Sequence, residues 1–168
     1  WGGKITTFRK LAEEASDELV RRLGGRQPAW TRGARLPGGD LSGWIGAAQR
    51  PDADIARFID AMARRHPQLP AAVRARWARA YGSRVDAVLA AGAAPGAEVA
   101  PGLYECELRY LHHHEWARSA DDVLWRRSKL GLHLSTVQRE AVAQWWAAHF
   151  PEFPEEDPKA TGQETLCN

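Results

Sequence analysis

Two helical patterns lie back to back in the stretch Tyr104–Leu132, YECELRYLHHHEWARSADDVLWRRSKLGL, and the rest of the chain is arranged around them. Tyr104, Leu108 and Leu111 stand at i, i+4 and i+7, one face of an amphipathic helix. Ser119 restarts the chain as an N-cap, with Asp122 three residues on as a variant of the capping box and two acids in the first turn to suit the helix dipole. The second helix is expected over Ala120–Lys129, with Gly131 placed to end it. Asp122 and Arg126 are spaced i, i+4, and Asp121 and Arg127 are positioned to turn inward. Two arginines after Trp125 are able to grip a phosphate bidentately, but the preferred reading is a structural network of Arg126 and Arg127 with Asp121, Asp122 and Glu115, since buried charge must be paired.

The flanking segments repeat this helical grammar. Phe8, Leu11, Ala12, Ala15, Leu19 and Leu23 share a helical stripe that Thr6 or Thr7 caps and Gly24-Gly25 stops. Residues 26–50 are rich in Gly, Pro and Arg, and a loop of that length is functional or packed by its own aromatics. Pro51 opens a clean stripe of Ile55, Phe58, Ile59, Met62 and His66, with Asp52 and Asp54 at its start and Pro67 beyond its end. Pro70 starts another helix, with Val73, Trp77 and Tyr81 on its inner face and Gly82 at its stop. Ser83 with Asp86 is expected to cap a short helix carrying Val85, Val88 and Leu89, and residues 92–103 read as a linker. Ser135 with Gln138 forms a capping box, followed by a stripe of Val137, Ala141, Trp145 and Ala148. The sum is an all-α, bundle-like domain of about seven helices, without strand pattern beyond the first few residues.

Composition narrows the function classes. Net charge is +2, the last 18 residues hold five acids against one Lys, and the basic remainder has no clustered stripe of the kind nucleic acid needs. Nucleic acid is therefore excluded as a partner. The two thiols, Cys106 and Cys167, make no disulfide framework and fit a reducing compartment, so a cytoplasmic location is expected. No apolar run approaches the ~20 residues of a membrane span, which leaves peripheral contact with the inner face of the cytoplasmic membrane open. His112-His113-His114 points three ways round a helix and cannot converge on one ion; His112 with Glu115 is the one i, i+3 pair, and the reading is a solvated or hydrogen-bonded face with no metal. Trp145-Trp146 reads as core plus rim.

The opening GGKITT combines residues with one physical use. Gly2 and Gly3 let backbone approach a ligand closely, the helix starting near Thr6 presents free N–H groups, and Lys4 adds a full positive charge. Such a site wants an anion. The chain opens at Trp1 inside a strand-to-helix junction, which reads as a piece of a longer polypeptide.

The pattern E-x-E-L-x-Y-L-x-x-x-E-W-A-x-x-x-D-D-V-L-W-R-R-x-K-L-G-L resembles the C-terminal domain of the aerobic, FAD-dependent glycerol-3-phosphate dehydrogenases. Three further pieces fit in order: Gly2 to Glu13, then Pro28-Ala29-Trp30-Thr31 with Leu36-Pro37-Gly38-Gly39, then Ala80-Tyr81-Gly82-Ser83. The likeness spans roughly residues 1–149. It implies that residues 1–24 are the strand-turn-helix edge of the FAD-binding domain and 25–150 the helical C-terminal domain; residues 151–168, with three Pro, five acids and few apolar residues, read from their composition as a disordered tail. It implies that Gly2, Gly3, Lys4, Ile5 and Thr6 meet the cofactor, with the helix N-terminus facing the pyrimidine side of the flavin, where charge collects on reduction. Lys4 matches the family's active-site Lys, near both the reacting centre and the substrate.

The implied reaction oxidises sn-glycerol 3-phosphate to dihydroxyacetone phosphate and passes electrons from FAD to quinone; the related oxidases pass them to oxygen. Partners implied are the substrate, the quinone, the upstream FAD domain and a second copy as a homodimer. The Gly-x-Gly-x-x-Gly fingerprint, the adenosine-binding acid, the active-site base and the phosphate-binding arginines lie outside these residues, so the segment alone is expected to be inactive. A different class of reading is a non-catalytic helical module for dimerisation or docking.

Overall fold

The computed structural model describes residues 4–92 and 95–151. Trp1, Gly2 and Gly3, and the expected tail from residue 152 on, lie outside the described residues. Among the described residues seven α-helices follow one another: α1 Phe8–Arg22, α2 Ser42–Ile45, α3 Pro51–Arg65, α4 Ala71–Tyr81, α5 Val85–Ala90, α6 Glu105–His114 and α7 Thr136–His149. The mostly helical class holds. The stretch 92–103, expected as linker, instead carries two short antiparallel strands, β1 Glu98–Ala100 and β2 Leu103–Tyr104, with Ala100 opposite Leu103. Pro101-Gly102 supplies the turn, with Gly102 at φ +74° and its N–H donated to Glu98 Oε1 at 2.7 Å. Strands of three and two residues are too short to display a period-2 pattern.

The core is drawn from α3 onward. Phe58 and Met62 of α3 meet Val73 and Trp77 of α4, and Val85 and Val88 of α5 face Leu108, Tyr110 and Leu111 of α6, all buried. The helix α7 closes the body against β1. Its Ser135–Gln138 capping box forms as expected, but its buried residues are Val142 and Trp146, not the expected stripe: Val137 is exposed, while Ala141 and Trp145 are only half-buried. The face is turned by one residue, about 100° of helix. Trp146 sits deep because its indole N–H reaches the Arg118 carbonyl at 3.1 Å.

Local stops differ where side chains found other partners. The expected Ser83/Asp86 cap does not form. A 3₁₀ turn, Gly82–Arg84, precedes α5, and Asp86 pairs with Arg65 at 3.1 Å and lies 3.4 Å from His66 Nε2. After α6, Ser119 and Asp122 exchange hydrogen bonds as a capping box, Ser119 N–H to Asp122 at 3.1 Å and Asp122 N–H to Ser119 Oγ at 3.2 Å. The helix they start is π-wound over Asp122–Arg127 and stops at Lys129, which adopts the left-handed conformation (φ 59°). Gly131 has a different task from ending it: a Cβ there would lie 2.7 Å from the Trp125 ring, so the glycine lets the indole lie flat on the backbone.

Arg126 pairs with Asp122 at 2.8 Å, and Arg127 Nε donates to the Glu115 carbonyl at 2.6 Å, but Asp121, Arg126 and Arg127 are all exposed. The expected inward network is a surface one.

Candidate functional site

Lys4 is extended (φ −63°, ψ 134°), exposed, and without an ion pair to any described residue. A 3₁₀ turn, Ile5–Thr7, leads from it into α1. Thr7 does not cap the helix; its hydroxyl and its N–H both turn back to the Lys4 carbonyl, at 2.8 and 2.9 Å. The Phe8 N–H likewise donates to the Ile5 carbonyl, so these two donors are spent within the turn, and what the end of the helix offers ahead of it is its positive dipole. Lys4, Ile5 and Thr6 form one exposed edge with a local positive field; Gly2 and Gly3, expected beside them, lie outside the described residues.

The helix α1 that carries this edge buries none of its residues. Phe8, Leu11 and Leu19 are 70, 52 and 60 % exposed, and Ile5, Leu23 and Trp30 extend the same apolar character. Its apolar residues keep helical spacing, but the described chain leaves Phe8, Leu11 and Leu19 largely exposed. The segment 27–31 crosses the other side, leaving a cleft of about 330 Å³ between Ala12, Ser16 and Val20 and Pro28, Ala29 and Trp30. There Thr31 Oγ1 donates to Glu13 Oε2 at 2.6 Å, and Arg9 Nη1 donates to that same oxygen at 2.8 Å and to Thr31 Oγ1 at 3.0 Å. The Thr31 bond is the first cause holding the Glu13 carboxyl below its usual range, with the Arg9 and Lys10 charges adding to it.

Beyond residue 31 the loop is fixed to the core by two glycines. Gly38 (φ +85°) and Gly82 (φ +53°) meet back to back: a Cβ on Gly38 would stand 2.2 Å from the Tyr81 carbonyl oxygen, and one on Gly82 would stand 2.1 Å from that of Gly38. Ser83 N–H donates to the Gly38 carbonyl at 3.0 Å. Only residues without Cβ permit this contact. Further along, α2 places Trp44 edge-on to Phe58, centroids 5.1 Å apart, under the Arg65 guanidinium.

Under the Gly38–Gly82 contact lies a buried charge cluster that pattern reading did not single out. Glu107 is wholly buried in α6 and accepts from Arg76 at 2.6 Å on each oxygen, from Trp77 Nε1 at 2.9 Å and from Tyr81 Oη at 2.6 Å. Arg76 also donates to the Gly102 carbonyl at 2.5 Å. All three donors to the carboxylate come from α4, so it joins α4 to α6, and Arg76 ties in the hairpin turn at Gly102. The signal was present: Glu107 sits on the same side of its helix as Leu108 and Leu111, where an unpaired acid would be costly. Its partners have no local sequence signature.

The His run forms no common centre. His112 stacks on Phe150 with centroids 4.0 Å apart and its Nδ1 lies 3.0 Å from the Ala117 carbonyl, while His114 leans on Tyr110. Cys106 is buried and its thiol pushed up to about 12, chiefly by burial, which leaves it unreactive. Among the described residues no helix is long and apolar enough to cross a membrane.

Comparison with known proteins gives these positions a family. Residues 29–150 match the family described as the C-terminal domain of alpha-glycerophosphate oxidase. The glycerol-3-phosphate dehydrogenase of Pseudomonas aeruginosa is 41 % identical over 157 residues, 92 % of this chain and 29 % of that protein. The aerobic glycerol-3-phosphate dehydrogenase of Escherichia coli is 41 % identical over 148 residues, 86 % of this chain and 28 % of that protein. A D-erythritol 1-phosphate dehydrogenase of Brucella abortus is 34 % identical over 157 residues, with 87 % and 28 % covered. The chain thus spans less than a third of the length of these relatives. Matched over residues 29–150, most of its length, the chain belongs to the family of alpha-glycerophosphate oxidase C-terminal domains.

Proposed function

We propose that this chain is the C-terminal part of an FAD-dependent glycerol-3-phosphate dehydrogenase that oxidises the C2 hydroxyl of sn-glycerol 3-phosphate and delivers the electrons to quinone. The observation that carries the reading is the division of labour along the chain. The buried core residues run from Phe58 to Trp146, while residues 4–24 bury none and present an apolar helix face beside an exposed cationic edge. A face of that kind is covered in the working protein. In this reading its cover is the FAD-binding domain, and residues 1–24 belong to that domain's edge.

The residues present fit the flavin. Lys4 is exposed and free of ion pairs with described residues, and it stands at the positive end of the helix dipole, a field suited to an electron-rich ring edge. Lys4, Ile5 and Thr6, with Gly2 and Gly3, would hold that edge. When bound, the flavin supplies the hydride acceptor. Lys4 contributes a fixed positive charge where negative charge grows, and the helix dipole adds to it without water having to reorganise. The Ile5 and Phe8 side chains, apolar and next to it, help exclude water once covered.

Two of the relatives are named for glycerol 3-phosphate and one for erythritol 1-phosphate, so the shared chemistry is oxidation of a polyol phosphate. The name of the matching family favours a second acceptor, oxygen. The test is turnover of the complete polypeptide loaded with FAD. Reduction of a soluble quinone analogue driven by glycerol 3-phosphate is expected, and stoichiometric peroxide in its place selects the oxidase. Absence of glycerol 3-phosphate oxidation by either acceptor defeats the reading.

A further inference from the structure

Because α1 buries no residue, something other than packing must set its direction. Among the described residues its side-chain hydrogen bonds to the rest of the chain converge on one atom, Thr31 Oγ1, which accepts from Arg9 at 3.0 Å and donates to Glu13 at 2.6 Å. The Arg9–Glu13 bond of 2.8 Å closes the triangle. A hydroxyl is suited to this place because it donates and accepts at once. The Glu13 side chain is only 10 % exposed, on a helix with no buried residue, because the segment ending in Thr31 crosses it.

That segment is anchored in turn. Gly38 is locked onto Gly82, and Tyr81 beside Gly82 is held by Glu107 at 2.6 Å. From this anchor the chain runs back through the exposed residues 32–37 to Thr31, and its last step to α1 is polar. We propose that Thr31 is the positioning residue that fixes the direction of α1, and with it the Lys4 edge, on the helical domain.

The inference rests on the reading of Lys4 given above. Leverage makes it matter. Lys4 precedes Glu13 by nine residues, roughly 13 Å along a helix, so a tilt of about 10° at the triangle moves it by roughly 2 Å. Misplacement of a catalytic group by about 1 Å is enough to cost on the order of 10²-fold in rate.

Thr31→Val keeps the shape and removes the hydroxyl, and Thr31→Ser restores it. In the 168-residue chain, hydrogen exchange of the α1 amides should quicken roughly five- to tenfold in Thr31→Val, with α3 to α7 unchanged and wild-type rates in Thr31→Ser. Unchanged α1 exchange overturns the proposal, whatever the enzyme does. In the flavin-loaded complete enzyme, Thr31→Val should lower kcat about tenfold or more at unchanged KM and flavin content, with rescue by Ser. Loosened α1 with kcat intact, where Lys4→Met lowers it, overturns the positioning role. A Lys4→Met enzyme with full kcat instead defeats the reading of Lys4, and the Lys4 half of the proposal falls with it.

Discussion

The Arg76 guanidinium meets the Glu107 carboxylate fork to fork, Nη1 to Oε1 and Nη2 to Oε2 both at 2.6 Å, in the centre of a domain otherwise filled by apolar side chains. The same two oxygens also take the Trp77 and Tyr81 donors. Removal of one partner strands a charge that water cannot reach. Arg76→Met should cost about 3–5 kcal/mol in urea unfolding of the chain. Adding Glu107→Leu should recover only part of that, since Trp77 N–H and Tyr81 O–H then lack an acceptor, at about 1–3 kcal/mol each. Wild-type stability in Arg76→Met would remove the cluster from its place as the domain's organising contact.

The cluster also sets behaviour in alkali. Burial first, and then the Glu107 charge, pushes the Tyr81 phenol well above its ordinary value, and burial likewise pushes the Cys106 thiol up to about 12. Groups with raised values keep their protons longer in the folded state. Their contribution is complete below the unfolded values, about 8.5 for the thiol and about 10 for the phenol, and is lost as pH rises through the folded ones. Stability should therefore fall above about pH 9, most steeply beyond 10. Tyr81→Phe should lower stability at neutral pH by about 1 kcal/mol and flatten the alkaline limb; an alkaline slope identical to wild type would contradict the assignment.

The two-glycine contact predicts a sharp contrast. Gly38→Ala and Gly82→Ala each place a Cβ against backbone at positive φ, and thermal melts should show losses of roughly 2–4 kcal/mol. Gly33→Ala has open space around it and should change little. Equal, small effects at all three positions would mean that the loop does not dock on α4.

Lys129 ends the π-wound segment in the left-handed conformation, which glycine adopts without strain. Lys129→Gly should raise stability by about 1 kcal/mol, read from the urea midpoint at constant m. A loss instead would show that the bond from its ammonium to the Trp125 carbonyl outweighs the backbone strain.

What could be read from sequence was periodicity and capping. Phe58, Met62, Val73, Trp77 and Tyr81 are buried where their spacing places them, and Ser135–Gln138 and Ser119–Asp122 cap where their chemistry allows. What could not be read was the partner. The stripe of α1 has helical spacing, yet periodicity marks a face without saying what covers it, and that face is exposed here.

Trp125 and Arg126 show the same gap. Their residue types point to a buried aromatic and a buried ion pair, but Trp125 is 36 % exposed on Gly131 and Arg126 is paired at the surface. Arg126→Ala should therefore cost under about 1 kcal/mol, the scale of an exposed ion pair. Glu107 escaped notice for the reverse reason: a polar letter in a helical pattern is assigned to solvent, and its three partners on α4 lie some thirty residues away. At the candidate site, the Arg9–Thr31–Glu13 triangle on α1 was not legible, because it depends on a loop crossing the helix.

The most direct test of the account is the turnover of Lys4→Met in the complete, flavin-loaded enzyme with saturating glycerol 3-phosphate. Loss of one preorganised charge at the reacting centre should lower kcat by roughly 10²-fold or more, with flavin content and melting temperature kept. An unchanged kcat alongside a lowered melting temperature would contradict it, and would leave Lys4 a structural residue of the strand-to-helix turn.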